Sequence, residues 1–155
     1  MHLLWDYSFW AMERLLKSTE RLADEQFRAD LPLAGGSSIR QMLAHTLNAQ
    51  AGWRAGLQGT PRTQIARVPD AAIPDAADFR SRWRAEETTM RDWLASLDDA
   101  ALRADSPAEL PLWRVLAHLA NHSMQHRSEV AMALTHFGQS PGDLDLLFYM
   151  REQPR

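Results

Sequence analysis

The chain has 155 residues, 45% of them hydrophobic, and a mean hydropathy of -0.40, which suits one globular domain over residues 1–155 with a sizeable core. Its 17 basic residues are scattered among 20 acidic ones for a net charge of -3, which argues against a nucleic-acid partner. No apolar run reaches bilayer length, and the opening MHLLWDYSFW lacks a basic stretch followed by a secretory apolar region, so a cytoplasmic protein without a membrane partner is expected. The absence of cysteine excludes disulfides, thiolate ligands and a cysteine nucleophile, and leaves any metal to His, Asp or Glu.

Taken in chain order, His2 to Leu22 places Leu4, Met12, Leu15, Leu16 and Leu22 at near-helical spacing and predicts a first helix. Ala23 to Gly36, with Asp24, Asp30, Pro32 and paired glycines, reads as a turn and a loop. Ser37 or Ser38 then caps a second helix over Ile39–Leu57, which closes at Gly59 before Pro61. His45 lies in this helix at the edge of the apolar sector, where periodicity alone makes it an ordinary flank residue. Thr60 to Pro74 carries three prolines and no period, so it predicts a long surface connection. Asp75 or Asp78 caps a third helix marked by Phe79, Trp83, Met90, Leu94 and Leu97, and Asp98 to Leu110 reads as irregular.

The segment Pro111 to Gly138 predicts the longest helix, with Pro111 in its first turn and Gly138 just past its end. Leu112, Val115, Leu119, His122, His126, Val130, Ala133 and Phe137 follow in steps of three and four, which at about 3.6 residues per turn makes one core-facing stripe. After Gly138 the tail predicts a turn and a short helix. With no strand alternation and no repeat, four long amphipathic segments imply an all-α four-helix bundle with a short C-terminal helix.

Two histidines on a core stripe ask for a partner, because a buried imidazole without one costs about 1–3 kcal/mol. Four residues apart, their Cβ atoms lie about 5–6 Å from each other, so both rings can converge on one cation. The plain alternative is a pair of core histidines bonded to backbone or to facing helices. His118 continues the four-residue ladder off the stripe, as a flanking or supporting residue. Glu129, three residues after His126, is a candidate ligand, base or supporting acceptor, or simply a solvated carboxylate. Arg114 and Arg127 read as ordinary surface charges beside the stripe, with attraction of an anionic substrate as the sharper alternative. The six tryptophans are expected mostly in the core, with one or two at a pocket or dimer contact. No H-E-x-x-H, glycine-rich phosphate loop or G-x-S-x-G elbow is present, which leaves metalloprotease, nucleotide and serine-hydrolase chemistry without support.

The segments NHSMQHR (Asn121–Arg127), GSSIRQMLAHTLNAQAGW (Gly36–Trp53), YSFWAMERLL near the start and DLDLLFYMRE near the end together resemble the DinB/YfiT-like metal-binding four-helix bundles over nearly the whole chain. The resemblance implies a divalent metal, zinc or nickel, held by His45, His122 and His126. It raises His45 from flank to ligand, which the helical wheel does not do. One departure stands out: the family often has His-Arg-Gly-Gln where this chain has His126-Arg127-Ser128-Glu129. Related members resemble transferases and isomerases that use a low-molecular-weight thiol such as bacillithiol, mycothiol or glutathione, and the family's name refers to regulation by DNA damage rather than to DNA binding. For this chain the resemblance thus implies a metal-dependent transferase, or hydrolase, that activates a small thiol or water for a small-molecule substrate. The alternatives are a non-catalytic metal- or ligand-binding bundle and a structural interaction module. The resemblance and the tryptophan content also imply a homodimer.

Overall fold

The computed structural model describes residues 2–32 and 35–153, so the predicted loop Ala23–Gly36 is described only in part, and Leu33 and Ala34 lie outside the described residues. The chain is all-helical. Among the described residues seven α-helices follow in order: α1 His2–Thr19, α2 Asp24–Arg28, α3 Ile39–Leu57, α4 Ala76–Ala95, α5 Asp99–Arg103, α6 Leu112–His136 and α7 Leu146–Glu152. Among the described residues there is no strand, and no helix is long and apolar enough to cross a membrane.

Local chemistry sets the ends of the long helices. Ser38 caps α3 by accepting from the Gln41 amide while the Gln41 side chain accepts from the Ser38 amide, a reciprocal capping box. Asp75 caps α4 by accepting from the Asp78 amide at 2.8 Å. Pro111 stands just outside α6 in extended backbone rather than in its first turn, since the Leu112 amide is turned back to Ala104 O. Gly138, at φ 73, adopts the left-handed conformation that stops α6. α1 ends at Thr19, short of Leu22, because Arg21 and Leu22 donate three residues back in tight turns to Ser18 and Thr19.

Two short helices fall where irregular chain is expected. α2 and α5 have five residues each. Helices of that length show no period of their own, and α5 is betrayed only by Asp98, which accepts from the Ala101 amide.

The directions of the long helices follow from their side-chain pairs. Asp6 meets Arg91, and Glu13 and Glu20 both meet Arg80, so α1 and α4 are antiparallel. Ser8 meets Arg127 and Ser18 meets Ser140 O, so α1 and α6 run the same way. His45 faces His126 and Trp53 faces His118, which makes α3 and α6 antiparallel. The connection after α3 doubles back along it, with Ile65 against Gly52 and Gly56, Val68 bonded to Asn48 and Asp70 to Arg40. α4 therefore starts beside the first half of α3 and runs parallel to it. Their seam is pinned by a bidentate pair at 2.8 and 2.6 Å between Arg54 and the buried Glu86.

The main core gathers Trp5, Phe9, Met12 and Leu16 of α1, Leu43 and Leu47 of α3, Phe79, Trp83 and Met90 of α4, and Leu116, Val130 and Leu134 of α6. Burying each such side chain contributes about 1.5–3 kcal/mol. Only Trp5 and Trp83 of the six tryptophans are buried; Trp10 and Trp93 are half-buried, and Trp53 and Trp113 are exposed, which corrects the expectation of a mostly buried set.

Candidate metal centre

The buried face of α6 passes through Leu116, Ala120, Ser123, Arg127, Val130 and Leu134. Leu112, Val115, Leu119 and Ala133 of the predicted stripe are buried with them, so the buried face keeps most of that stripe and extends past it toward α1. His122 and His126 lie on its flank and are half-buried, not central. With His118 they form a four-residue ridge that turns slowly around the helix and faces α3. On α3 the buried set includes Leu43, Thr46, Leu47 and Gln50, which leaves His45 exposed at the edge beside that ridge.

The three imidazoles of His45, His122 and His126 converge. Each offers a ring nitrogen, and these three atoms lie within 4.8 Å of one another. The His45 ring centroid is 4.6 Å from that of His126 and 5.4 Å from that of His122, while those of His122 and His126 are 4.5 Å apart. His122 and His126 approach through their Nε2 atoms at 3.2 Å. Two ligands on a tetrahedral cation, with metal–nitrogen bonds of about 2.0–2.1 Å, are separated by about 3.3 Å, so this spacing fits one shared ion.

Glu129 orders the cluster from behind. Its Oε2 lies 2.7 Å from His126 Nδ1, and its Oε1 accepts from Gln125 Nε2 at 3.3 Å. A carboxylate at Nδ1 holds the proton there and leaves the lone pair on Nε2, the atom aimed into the cluster. His45, by contrast, makes no side-chain hydrogen bond among the described residues. Burial pushes the His45 and His122 imidazoles below their ordinary value of 6.5, and the facing His126 pushes both further down. Arg67 adds to the depression at His45, His45 and His118 add to it at His122, and Glu129 opposes it at both. Neutral rings are the form that offers lone pairs to a cation.

His118 is exposed, with its ring centroid 6.0 Å from His122 and 6.1 Å from Trp53. The two arginines beside the predicted stripe part company. Arg114 is exposed and lies over its neighbour Trp113. Arg127, expected at the surface, is 3% exposed and bonded to the hydroxyls of Ser8 at 2.6 Å and Ser123 at 2.9 Å, on the far side of α6 from the cluster. Arg67 is absent from the sequence-level candidates altogether, since nothing in the connection's composition places it against α3. The link between Glu129 and His126 is foreshadowed by their three-residue spacing, which puts them on adjacent turns.

The DinB family model matches residues 1–155, the whole chain. No curated protein matches it.

Proposed function

The chain belongs to the DinB family, and from that membership together with the histidine cluster we propose that His45, His122 and His126 hold one divalent cation, zinc or nickel, in a DinB-type four-helix bundle made of α1, α3, α4 and α6. The observation that carries this reading is the convergence of three ring nitrogens within 4.8 Å. When bound, such a cation supplies positive charge that favours the ionised form of a small thiol or of water near neutral pH. Three protein ligands leave a coordination position for that group. The chain has no cysteine, so the thiol comes from solution.

The proposed activity is transfer to or from a low-molecular-weight thiol, or hydrolysis, on a small-molecule substrate. The chain's own part is to position. Glu129 fixes the ring orientation of His126, and the opening toward solvent on the His45 side admits the reactant. A second reading, metal or ligand binding without turnover, is favoured by one observation: Glu129, the carboxylate at the cluster, is already engaged by His126 and Gln125, and so is not free to act as a base. One domain over residues 1–155, a cytoplasmic location and a homodimer complete the proposal.

The test is elemental mass spectrometry on protein purified without a histidine tag, wild type against His122→Ala. Near one equivalent of zinc or nickel in the wild type, lost in the variant with the helical circular dichroism unchanged, is expected. A metal-free wild type that also refuses added zinc and nickel overturns the reading. Stoichiometric metal without turnover across thiols and electrophiles selects the non-catalytic alternative.

A further inference from the structure

α1 and α3 each pack against both α4 and α6, so the seam between α1 and α4 lies diagonally across the bundle from the histidines. That seam is not closed. An open groove of about 770 Å³ runs along it, with Tyr149 of α7 at its side. A volume of this size suits a small molecule.

The groove is charged in opposite senses at its two ends. At one end the Arg91 guanidinium lies over the Phe9 ring, 4.2 Å from its centroid, and is held by Asp6 at 2.9 Å and Glu87 at 2.8 Å. Two carboxylates around one guanidinium leave a net charge of −1. Two turns along α1, Glu13 is met by Lys17, Arg80 and Arg84, and Arg80 also meets Glu20. Three cations on two carboxylates leave a net charge of +1 at this end. Arg84 is the least engaged of the three: its side chain is 62% exposed, it makes no side-chain hydrogen bond among the described residues, and it comes no nearer to Glu13 than 3.7 Å. The helical rise from Asp6 to Glu13 is about 10 Å. Between the two ends Trp10 lines the groove.

Exposed ion pairs contribute little, and a dipolar surface needs no ligand. Tyr149 is what points to one. It is 8% exposed, and its ring is set against those of Tyr7 and Trp10, with centroids 6.1 and 5.5 Å away. Its hydroxyl, on the groove side of the bundle, has no hydrogen-bond partner among the described residues and is not sealed from solvent. Burial pushes the phenol above its ordinary range, and Asp6 adds to the rise while Arg91 opposes it. Near neutral pH the group is therefore an intact phenol, with lone pairs to offer at the negative end.

We infer that this groove binds a small zwitterion about 10 Å long, with its ammonium at Asp6, Glu87 and the Tyr149 oxygen, its apolar body along Trp10 and its carboxylate at Arg84. A short unblocked peptide has that form, since three extended residues span about 10 Å. The site is separate from the histidine cluster and does not depend on a metal there.

The experiment is isothermal titration of the full chain with glycyl-phenylalanyl-glycine, with its N-acetyl form and with its C-terminal amide. The wild type is expected to bind the unblocked peptide about tenfold more tightly than either blocked form. Asp6→Asn is expected to erase the preference over the N-acetyl form and keep that over the amide, and Arg84→Gln to do the reverse. Tyr149→Phe is expected to weaken the two peptides that carry an ammonium and leave the N-acetyl form unchanged. Equal binding of all three by the wild type, or a Kd above about 1 mM for each, overturns the proposal. So do variants that weaken the three peptides alike. A dimer that Arg84→Glu splits gives the groove to a second copy and overturns it too.

Discussion

His126 and Arg127 are neighbours in α6, yet they belong to opposite seams. A step of about 100° around the helix turns one toward α3 and the other toward α1. On the α3 side the imidazoles are half-buried or exposed, and their ring nitrogens face one another. On the α1 side the guanidinium is 3% exposed, bonded to two hydroxyls and set 5.6 Å from the Tyr7 ring, with no carboxylate paired to it among the described residues. Burying a charge in this way costs several kcal/mol before the hydroxyl bonds and the ring offset it. Burial pushes the Arg127 guanidinium down from its ordinary value while the adjacent Tyr7 pulls it back up. The two seams teach that residue type is a poor guide to role. A polar group shut in with its bonds already made holds helices together; a cluster open to solvent with lone pairs to spare can take a ligand.

The largest effect that separates the seams is expected on stability. Arg127→Ala removes a buried side chain and leaves the Ser8 and Ser123 hydroxyls without their donor, for a loss of about 2–4 kcal/mol in chemical denaturation. Metal content stays at the wild-type level. Arg127→Met, which fills the space without the charge, is expected to recover most of that loss. Loss of metal in either variant breaks the separation between the seams.

Glu129→Gln comes next, with the opposite signature. Removing the charge behind His126 is expected to weaken zinc about 10–100-fold in a chelator competition, with melting temperature of the metal-free protein little changed. Unchanged zinc affinity means the carboxylate does not tune the cluster.

The response to pH is the most gradual. Imidazoles held below 6.5 stay neutral down to that value, so zinc affinity is nearly level from pH 8 to 7 and falls below pH 6.5, by up to about tenfold per unit for each ligand protonated. The same lowering means that as pH drops through 6.5 the unfolded chain takes up protons before the folded one does. The metal-free protein therefore loses stability in that window, and stability measured from pH 7.5 to 5.5 checks this. The Arg127 seam contributes no slope there, because a guanidinium keeps its charge throughout.

The long periodic elements were legible in the sequence, and their departures have physical causes. Ser37 or Ser38 and the spacing from Ile39 to Leu57 mark both ends of α3, and of the two serines it is Ser38 that caps it, through the reciprocal bonds with Gln41. α2 and α5 escape notice because single-turn helices carry no period. On α6 the spacing finds Leu112, Val115, Leu119, Val130 and Ala133, all buried, but misplaces His122 and His126, which sit at the edge of the buried face. A stripe drawn through His122 and His126 counts imidazole as core and arginine as surface, whereas Ser8, Ser123 and Tyr7 supply the polar lining that lets Arg127 take the inward position. The convergence of His45 on the pair is likewise beyond periodicity, since it depends on which seam α3 and α6 share; the family resemblance points to it. Arg67 depends on a surface connection folded back through Asn48, and no local pattern encodes that path.

The bonds from α1 to the far end of the chain have a consequence in time. Tyr7 reaches Leu144, Arg14 reaches Glu152 and Trp10 reaches Glu152, separations of 137, 138 and 142 residues. A ribosome adding roughly 5–20 residues per second makes the partners of the first helix about 7–28 s after that helix itself. Through that interval the edge of α1 that carries Tyr7, Trp10 and Arg14 waits without the segment from Leu144 to Glu152.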